Sequence, residues 1–326
     1  MKSNKYEIDM CNGSIMDKLV SFALPLMLSG ILQLMFNAVD IIVVGRFSGS
    51  EALAAVGSTT ALINVFTNLF IGISLGANVL AARFFAAGRK EEMSETVHTS
   101  ITLALISGIL MAFVGLVFSK GALELMGTPE DVIGLSTLYM RIYFMGMPFF
   151  MLYNYGAAIL RAVGDTKRPL YFLIIAGVIN AGLNMVLVIV FGLGVAGVGI
   201  ATVFSQMVSC VLVLTCLCRT EGSYKLSFSK LSMKGYYLKQ IFQVGIPAGI
   251  QSTVINFSNA LLQSSVNSFG STAMAGYTAA NNILGFLYVS INSVTQACMS
   301  FTSQNFGVGK YKRMDRVLID CMILSV

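Results

Sequence analysis

The stretch VHTSITLALISGILMAFVGLVF, residues 97–118, decides the fold class of this chain, because it is long, apolar and free of Asp, Glu, Lys and Arg. A helix rises about 1.5 Å per residue, so about 20 such residues cross a hydrocarbon core about 30 Å thick. Further runs of this kind lie at 15–44, 52–82, 132–157, 170–191, 195–217, 238–268 and 273–305, and a ninth begins at Val317. The sequence therefore predicts an all-α integral membrane protein.

Composition supports this fold class and narrows the chemistry. Hydrophobic residues make up 56% of the chain, charged residues 11%, and the mean hydropathy is +0.79, which is outside the range of water-soluble domains. The single histidine, His98, cannot form a His-based catalytic or metal cluster. We expect no enzyme activity and no cofactor.

The basic residues predict how the spans are oriented. Of the 21 Lys and Arg residues, 18 fall at the N-terminus or in the loops that share its side of the membrane. Arg46 and Lys120 lie on the other side, and Arg141 lies within a span. Cytoplasmic loops carry such an excess of positive charge, so we expect a cytoplasmic N-terminus in a multi-pass protein of the plasma (inner) membrane. The net charge of +6 then indicates topology and no nucleic acid partner.

The first three spans recur later in the chain. Pro25 and Pro247 are 222 positions apart, and Phe85 and Phe306 are 221 apart. Six spans separate the copies, which gives both the same orientation, as in transporters built from parallel repeats. We expect two six-helix lobes, residues 1–222 and 223–326, with the second incomplete, so that about 8.5 of 12 helices of a protein of about 440 residues are present. We also expect the spans to bend at the two prolines.

Polar side chains form stripes at helical spacing on several spans. Such groups are costly at membrane depth unless they join helices or line a water-filled cavity. Matching stripes in both lobes favour a central cleft. The candidates for its lining are Gln33, Asn37, Asn64, Asn68, Asn256, Asn259, Gln263 and Asn292.

Asp40 is the one acidic residue placed well within an apolar span. Burial disfavours its charged form, so we expect protonation or cation binding there to act as a switch. Asn180 and Asn184 lie one turn apart in the fifth span, and Thr202 lies in the sixth. Together with Asp40 they offer oxygen ligands to a hard cation. The alternative is a structural ion pair of Asp40 with Arg46 or Arg141.

Two segments resemble the multidrug and toxic compound extrusion (MATE) family: the run Met35-Phe-Asn-Ala-Val-Asp-Ile-Ile-Val-Val-Gly-Arg-Phe and the later run Ile159-Leu-Arg-Ala-Val-Gly-Asp-Thr-Lys-Arg-Pro. The resemblance implies a V-shaped two-lobe exporter of amphipathic, often cationic compounds in exchange for Na⁺ or H⁺. Asp40 matches the acid of the family's first helix, Asn180 and Thr202 match other residues of its cation site, and Pro25 matches a proline at which that helix bends.

The sequence departs from the family pattern at two positions. Asn184 stands where some members have a second aspartate, and Asn256 stands near a glutamate of another branch. We expect one ion site, at Asp40, and no metal site other than one for Na⁺ there.

Small amphipathic molecules and membrane lipid are the expected partners, and the chain is expected to be a monomer. Two other functions stay open. A lipid-linked oligosaccharide flippase of the same superfamily would favour arginines in the central cavity. A membrane-embedded enzyme would need a catalytic set that these residues do not supply.

Overall fold

A computed structural model describes residues 6–267 and 271–325, with side chains for all of these except 61, 257, 260, 261, 263, 264, 266, 267, 271–279 and 281–283. Over these residues the chain forms helices and no β-strand. The helices are α1 Ile15–Phe47, α2 Ser50–Ala86, α3 Lys90–Leu125, α4 Glu130–Met145, α5 Met147–Ala162, α6 Lys167–Asn184, a π-helical turn Met185–Val190, α7 Gly194–Arg219, a 3-10 turn Phe228–Lys230, α8 Gly235–Asn267, α9 Ser271–Gly307 and α10 Tyr311–Ser325.

The predicted helical membrane fold is confirmed. Five of the described helices are long and apolar enough to cross a membrane: α1, α2, α3, α6 continued through the π turn, and α7. The total of eight spans stays a prediction.

The internal repeat is visible in the helix lengths. The helices α1 and α8 each have 33 residues, and α2 and α9 each have 37. The helix pairs α2 and α9, and α3 and α10, begin 221 positions apart, the spacing read from the sequence.

The fourth predicted span, 132–157, is interrupted, which corrects the expectation of one continuous helix. It consists of α4 and α5, which meet at Gly146. Pro148 lies in the first turn of α5, and because proline has no backbone N–H it cannot continue the hydrogen bonding of α4. By contrast, Pro25 and Pro247 each lie inside an unbroken helix, so bending at these two residues stays a prediction.

The helices α2 and α8 cross through glycine. Gly72 and Gly76 of α2 face Gly245 and Gly249 of α8, each pair spaced four residues apart as in close helix crossings of membrane proteins. A Cβ atom on Gly249 would meet the Leu69 carbonyl oxygen at 2.7 Å, and one on Gly72 would meet the backbone of Gly249. The two copies of the repeat therefore touch through backbone at this crossing.

Candidate functional site

Asp40 lies in the last third of α1 with 8% of its surface exposed. The side-chain amide of Asn184 donates a hydrogen bond to its Oδ1 oxygen, and the Thr202 hydroxyl lies 3.5 Å from its Oδ2 oxygen. The ion pairs of the described residues include none with Asp40, and Arg46 and Arg141 are exposed. The alternative of a structural pair with arginine is therefore wrong.

Two helices position the groups that hold this carboxylate. Asn180 and Asn184 lie one turn apart in α6, and Asn184 donates to the Asn180 Oδ1 oxygen at 3.2 Å. Asn180 in turn reaches the Thr202 hydroxyl of α7 at 3.5 Å. The four predicted residues thus form one connected group between α1, α6 and α7.

A π-helical turn begins at Met185, directly after Asn184. A π turn inserts an extra residue into the helical repeat, and such turns are frequent at functional sites. Nothing in the sequence analysis indicated this turn. It changes the helical phase of the residues that follow Asn184.

The Oδ1 oxygen of Asn184 is buried and has no hydrogen-bond partner. It lies on the same amide that donates to Asp40, so an oxygen acceptor is left over beside the carboxylate. Oxygen-only ligands suit a hard cation. The group holds one carboxylate, and the described part of the chain contains no cluster of three His, Cys, Asp or Glu side chains.

A cavity of about 350 Å³ opens beside Asp40. It is walled by α1, α2, α4, α5, α6 and α7, all of which lie within residues 1–222. Among the predicted residues, its lining includes Gln33, Asn37, Asp40, Asn64, Asn68, Asn180 and Thr202.

The remaining cleft candidates lie elsewhere. Asn256 donates to the Ser252 carbonyl of its own helix at 2.9 Å. Asn259 and Asn292 are exposed, and neither lines the cavity. Gln263 lies outside the residues whose side chains are described. The described lining of the cavity beside Asp40 lies within residues 33–209, and the cleft shared by two lobes stays a prediction.

Sequence analysis missed several residues of the cavity wall. Tyr139 and Tyr143 of α4 are one turn apart, and Asn154 lies on α5. Ser205, Gln206 and Ser209 continue the face of α7 that carries Thr202. These spacings are helical and were available in the sequence. They were overlooked because similar residues also occur on helix faces that do not line a cavity.

The chemistry of the wall is mixed aromatic and amide. Phe36 and Phe150 also line the cavity, and among the described residues of its lining Asp40 is the only charged one. The cavity therefore offers π faces and one negative charge, a combination suited to amphipathic molecules and cations.

Comparisons with known proteins agree with this architecture. The MatE family model matches residues 25–186 and 247–326. Two relatives from Bacillus subtilis (strain 168) are the probable multidrug resistance proteins YoeA, 34% identical over 91% of this chain, and YpnP, 28% identical over 94%. The chain spans 66% of the length of YoeA and 68% of that of YpnP.

A solved structure shows the same fold. It is a MOP superfamily transporter from Pyrococcus furiosus, 24% identical, with a TM-score of 0.92 over 99% of this chain and 72% of the other. Members of the matched family are transporters and not enzymes, so the alternative of a membrane enzyme is set aside. The family match covers most of the chain and includes residues of both copies of the repeat. The chain therefore belongs to the MatE family of multi-pass membrane transporters.

Proposed function

We propose that the whole protein is a secondary active exporter that moves amphipathic, often cationic, small molecules out of the cell in exchange for Na⁺ or H⁺. The coupling ion binds at Asp40, with Asn180, Asn184 and Thr202 as its neutral partners. One observation carries this proposal: a nearly buried carboxylate faces a cavity and is held by neutral side chains alone.

The mechanism follows from the cost of burying charge. An ionised carboxylate away from water is unfavourable unless a cation or proton neutralises it or donors stabilise it. Asn184 and Thr202 supply two donors, which is enough to hold the carboxylate in place but leaves its charge uncompensated. The two states of the transporter differ in how α1 packs on α6 and α7, and the ion favours the state that binds it more tightly.

The wall of the cavity supports the substrate class. Aromatic rings adapt to flat apolar groups, and a cation gains from both the rings and Asp40. Drug and ion then compete for one carboxylate, which provides the exchange. The lipid-linked oligosaccharide flippase is less well supported, because its anionic substrate calls for arginines and the described residues of the lining include none.

The wider arrangement completes the proposal. The N-terminus lies in the cytoplasm, the protein resides in the plasma membrane as a monomer, and residues 1–222 and 223–326 belong to separate lobes. The bends at Pro25 and Pro247 allow α1 and α8 to move between states. Neither residue lines the cavity beside Asp40.

Uptake of a fluorescent organic cation into vesicles tests the proposal, with Na⁺ and pH gradients imposed separately on the full-length protein. Asp40→Asn is expected to abolish gradient-driven uptake. Asp131→Asn is the matched control, because Asp131 is an exposed acid in the first turn of α4. Equal uptake by the wild type and Asp40→Asn would remove Asp40 from the mechanism, and the gradient that drives the wild type identifies the ion.

A further inference from the structure

Residues 6–13, which precede α1, contact both α1–α7, which we call the first half of the molecule, and α9–α10, which together with α8 we call the second half. We call residues 6–13 the strap. Its first part contacts Gly164 of the first half and Tyr224, which lies in the segment between α7 and α8. The Tyr224 hydroxyl donates to the Glu7 carboxylate at 2.7 Å. Gly164, with a φ of +95°, lets Ile8 approach so closely that a Cβ there would meet the Ile8 nitrogen at 2.6 Å.

The second part of the strap contacts the second half and α1, whose Lys18 donates to the carbonyls of Asp9 at 2.6 Å and Asn12 at 2.7 Å. Met10 is fully buried in an apolar cluster that includes Phe22 of α1 and Phe301 of α9. The Met10 carbonyl accepts hydrogen bonds from Asn305 at 3.2 Å and from Arg313 Nε at 3.3 Å. The strap therefore contacts both halves within a few residues.

Two cations of the α9–α10 corner bind the next carbonyls. Lys310 donates to the Cys11 carbonyl at 2.9 Å. The Arg313 Nη2 atom donates to the carbonyls of Asn12 at 3.2 Å and Gly13 at 2.9 Å. Hydrogen bonds from charged donors are stronger than neutral ones. Arg313 thus binds three carbonyls of the strap, those of Met10, Asn12 and Gly13, through one side chain.

Direct hydrogen bonds join the halves at the same end. The Ser300 hydroxyl donates to the Asn78 Oδ1 oxygen at 3.0 Å, and Asn78 donates to the Ala158 carbonyl at 2.8 Å. One turn further along α9, Gln304 donates to the Ala162 carbonyl at 2.7 Å, and its Oε1 oxygen faces the Cys11 thiol at 3.9 Å. Gln304 therefore contacts the first half and the strap together.

We propose that the strap fastens the two halves together at this end of the molecule, and that Arg313 is the residue that positions it. The inference rests on the transport cycle proposed above. In that cycle the end of the molecule that carries the N-terminus must open toward the cytoplasm in one of the two states. Opening separates Ser300 from Asn78 and Gln304 from Ala162. Because the strap is anchored on both halves, it must leave Arg313 in the same step.

Cys11 provides a native reporter of strap release. Its side chain is half-buried, and burial raises the pKa of the Cys11 thiol, with the negative charge of Asp9 adding to this effect. The thiolate is the reactive form, so alkylation is slow while the strap is bound. Cys210, which is buried in α7, is the internal reference for unfolding.

The experiment measures N-ethylmaleimide labelling of Cys11 and Cys210 by peptide mass spectrometry on the full chain in lipid nanodiscs. Arg313→Gln is expected to speed Cys11 labelling about tenfold relative to Cys210. Arg316→Gln, which alters an exposed cation one turn away on α10, is expected to leave it unchanged. Arg313→Lys keeps the charge and is expected to restore part of the protection.

A variant away from the strap separates fastening from local bracing. Ser300→Ala breaks only the bond to Asn78, yet it should also speed Cys11 labelling, since coupling between two sites is reciprocal. An unchanged Cys11 rate in Ser300→Ala, or equal rates in Arg313→Gln and Arg316→Gln, would overturn the proposal. If Arg313→Gln unfolds the chain, Cys210 labelling rises too, and Lys310→Gln then decides by the same ratio. If Asp40 proves not to bind the coupling ion, the expected labelling rates of Cys11 and Cys210 in these variants stay the same, so the two proposals can fail separately.

Discussion

Asn184 donates its side-chain amide to the Asp40 carboxylate across the contact between α6 and α1, while its own Oδ1 oxygen has no partner. The amide nitrogen thus stabilises the negative charge of Asp40, whereas the amide oxygen is available to a cation. A second acid at this position would add a like charge beside Asp40. An amide keeps the site at a single negative charge.

Asn184→Ala is expected to raise the Na⁺ concentration for half-maximal uptake about tenfold, because the carboxylate loses a charge-assisted donor and a ligand oxygen. If H⁺ is the coupling ion, the change appears in the pH profile of uptake. Asn154→Ala is the control, since Asn154 lines the same cavity but donates to the Phe150 carbonyl. Ion dependence that is the same in both variants would contradict the assignment.

Thr202→Val removes a hydroxyl while keeping the shape of the side chain. Its hydrogen bonds to Asp40 and Asn180 are both 3.5 Å long, so the loss should be smaller than for Asn184, about two- to fivefold in apparent ion affinity. Ser209→Ala is the comparison, because its hydroxyl bonds to its own helix at the Gln206 carbonyl. The uptake assay with varied ion concentration ranks the three; a larger effect from Thr202 than from Asn184 would be inconsistent with this geometry.

Gly177→Ala is expected to change the substrate range and leave ion dependence unaltered. A Cβ on Gly177 would meet the ring of Phe36, which must then move within the cavity it lines. Affinity for bulky substrates should fall several-fold relative to small ones. Gly182→Ala is the control, because it gains the same helix propensity on α6 and has nothing within 4 Å of the added methyl group. This variant should transport bulky and small substrates like the wild type.

Gly72→Ala should destabilise the α2–α8 crossing, because the added methyl group has backbone and no movable side chain in front of it. Overpacking of this kind costs about 1–3 kcal/mol. Gly57→Ala on the same helix has open space around its Cβ and should be neutral or slightly stabilising. Thermal unfolding followed by circular dichroism compares the two, and equal Tm values would show that the crossing tolerates a side chain.

The membrane fold and its repeat were predictable because both depend on long-range patterns. Apolar length sets each helix, and the 221-residue spacing survives in the helix boundaries. The break at Gly146 was missed because Pro148 lies inside a long apolar run, where hydropathy masks it. The π turn after Asn184 was missed because apolar length and helical spacing do not distinguish a π turn from a continuing α-helix.

The candidate site was predictable where one residue was chemically unusual. Asp40 stood out as the acid within an apolar span, and its partners followed from one-turn spacing. The tyrosines of α4 and Gln206 could not be assigned, because a polar stripe does not reveal which helices surround it. Asn259 and Asn292 are exposed and do not line the cavity beside Asp40, so their place in a central cleft stays a prediction.

The glycine crossing of α2 and α8 has a mechanical consequence. Interlocked side chains resist tilting, because each must change rotamer or climb over its neighbour. Gly72 and Gly249 face one another with backbone atoms and no side chains. The two helices can therefore change their crossing angle while these backbones stay in contact. In the transport cycle proposed above, a change in the crossing angle of α2 and α8 then needs no side-chain repacking at Gly72 and Gly249.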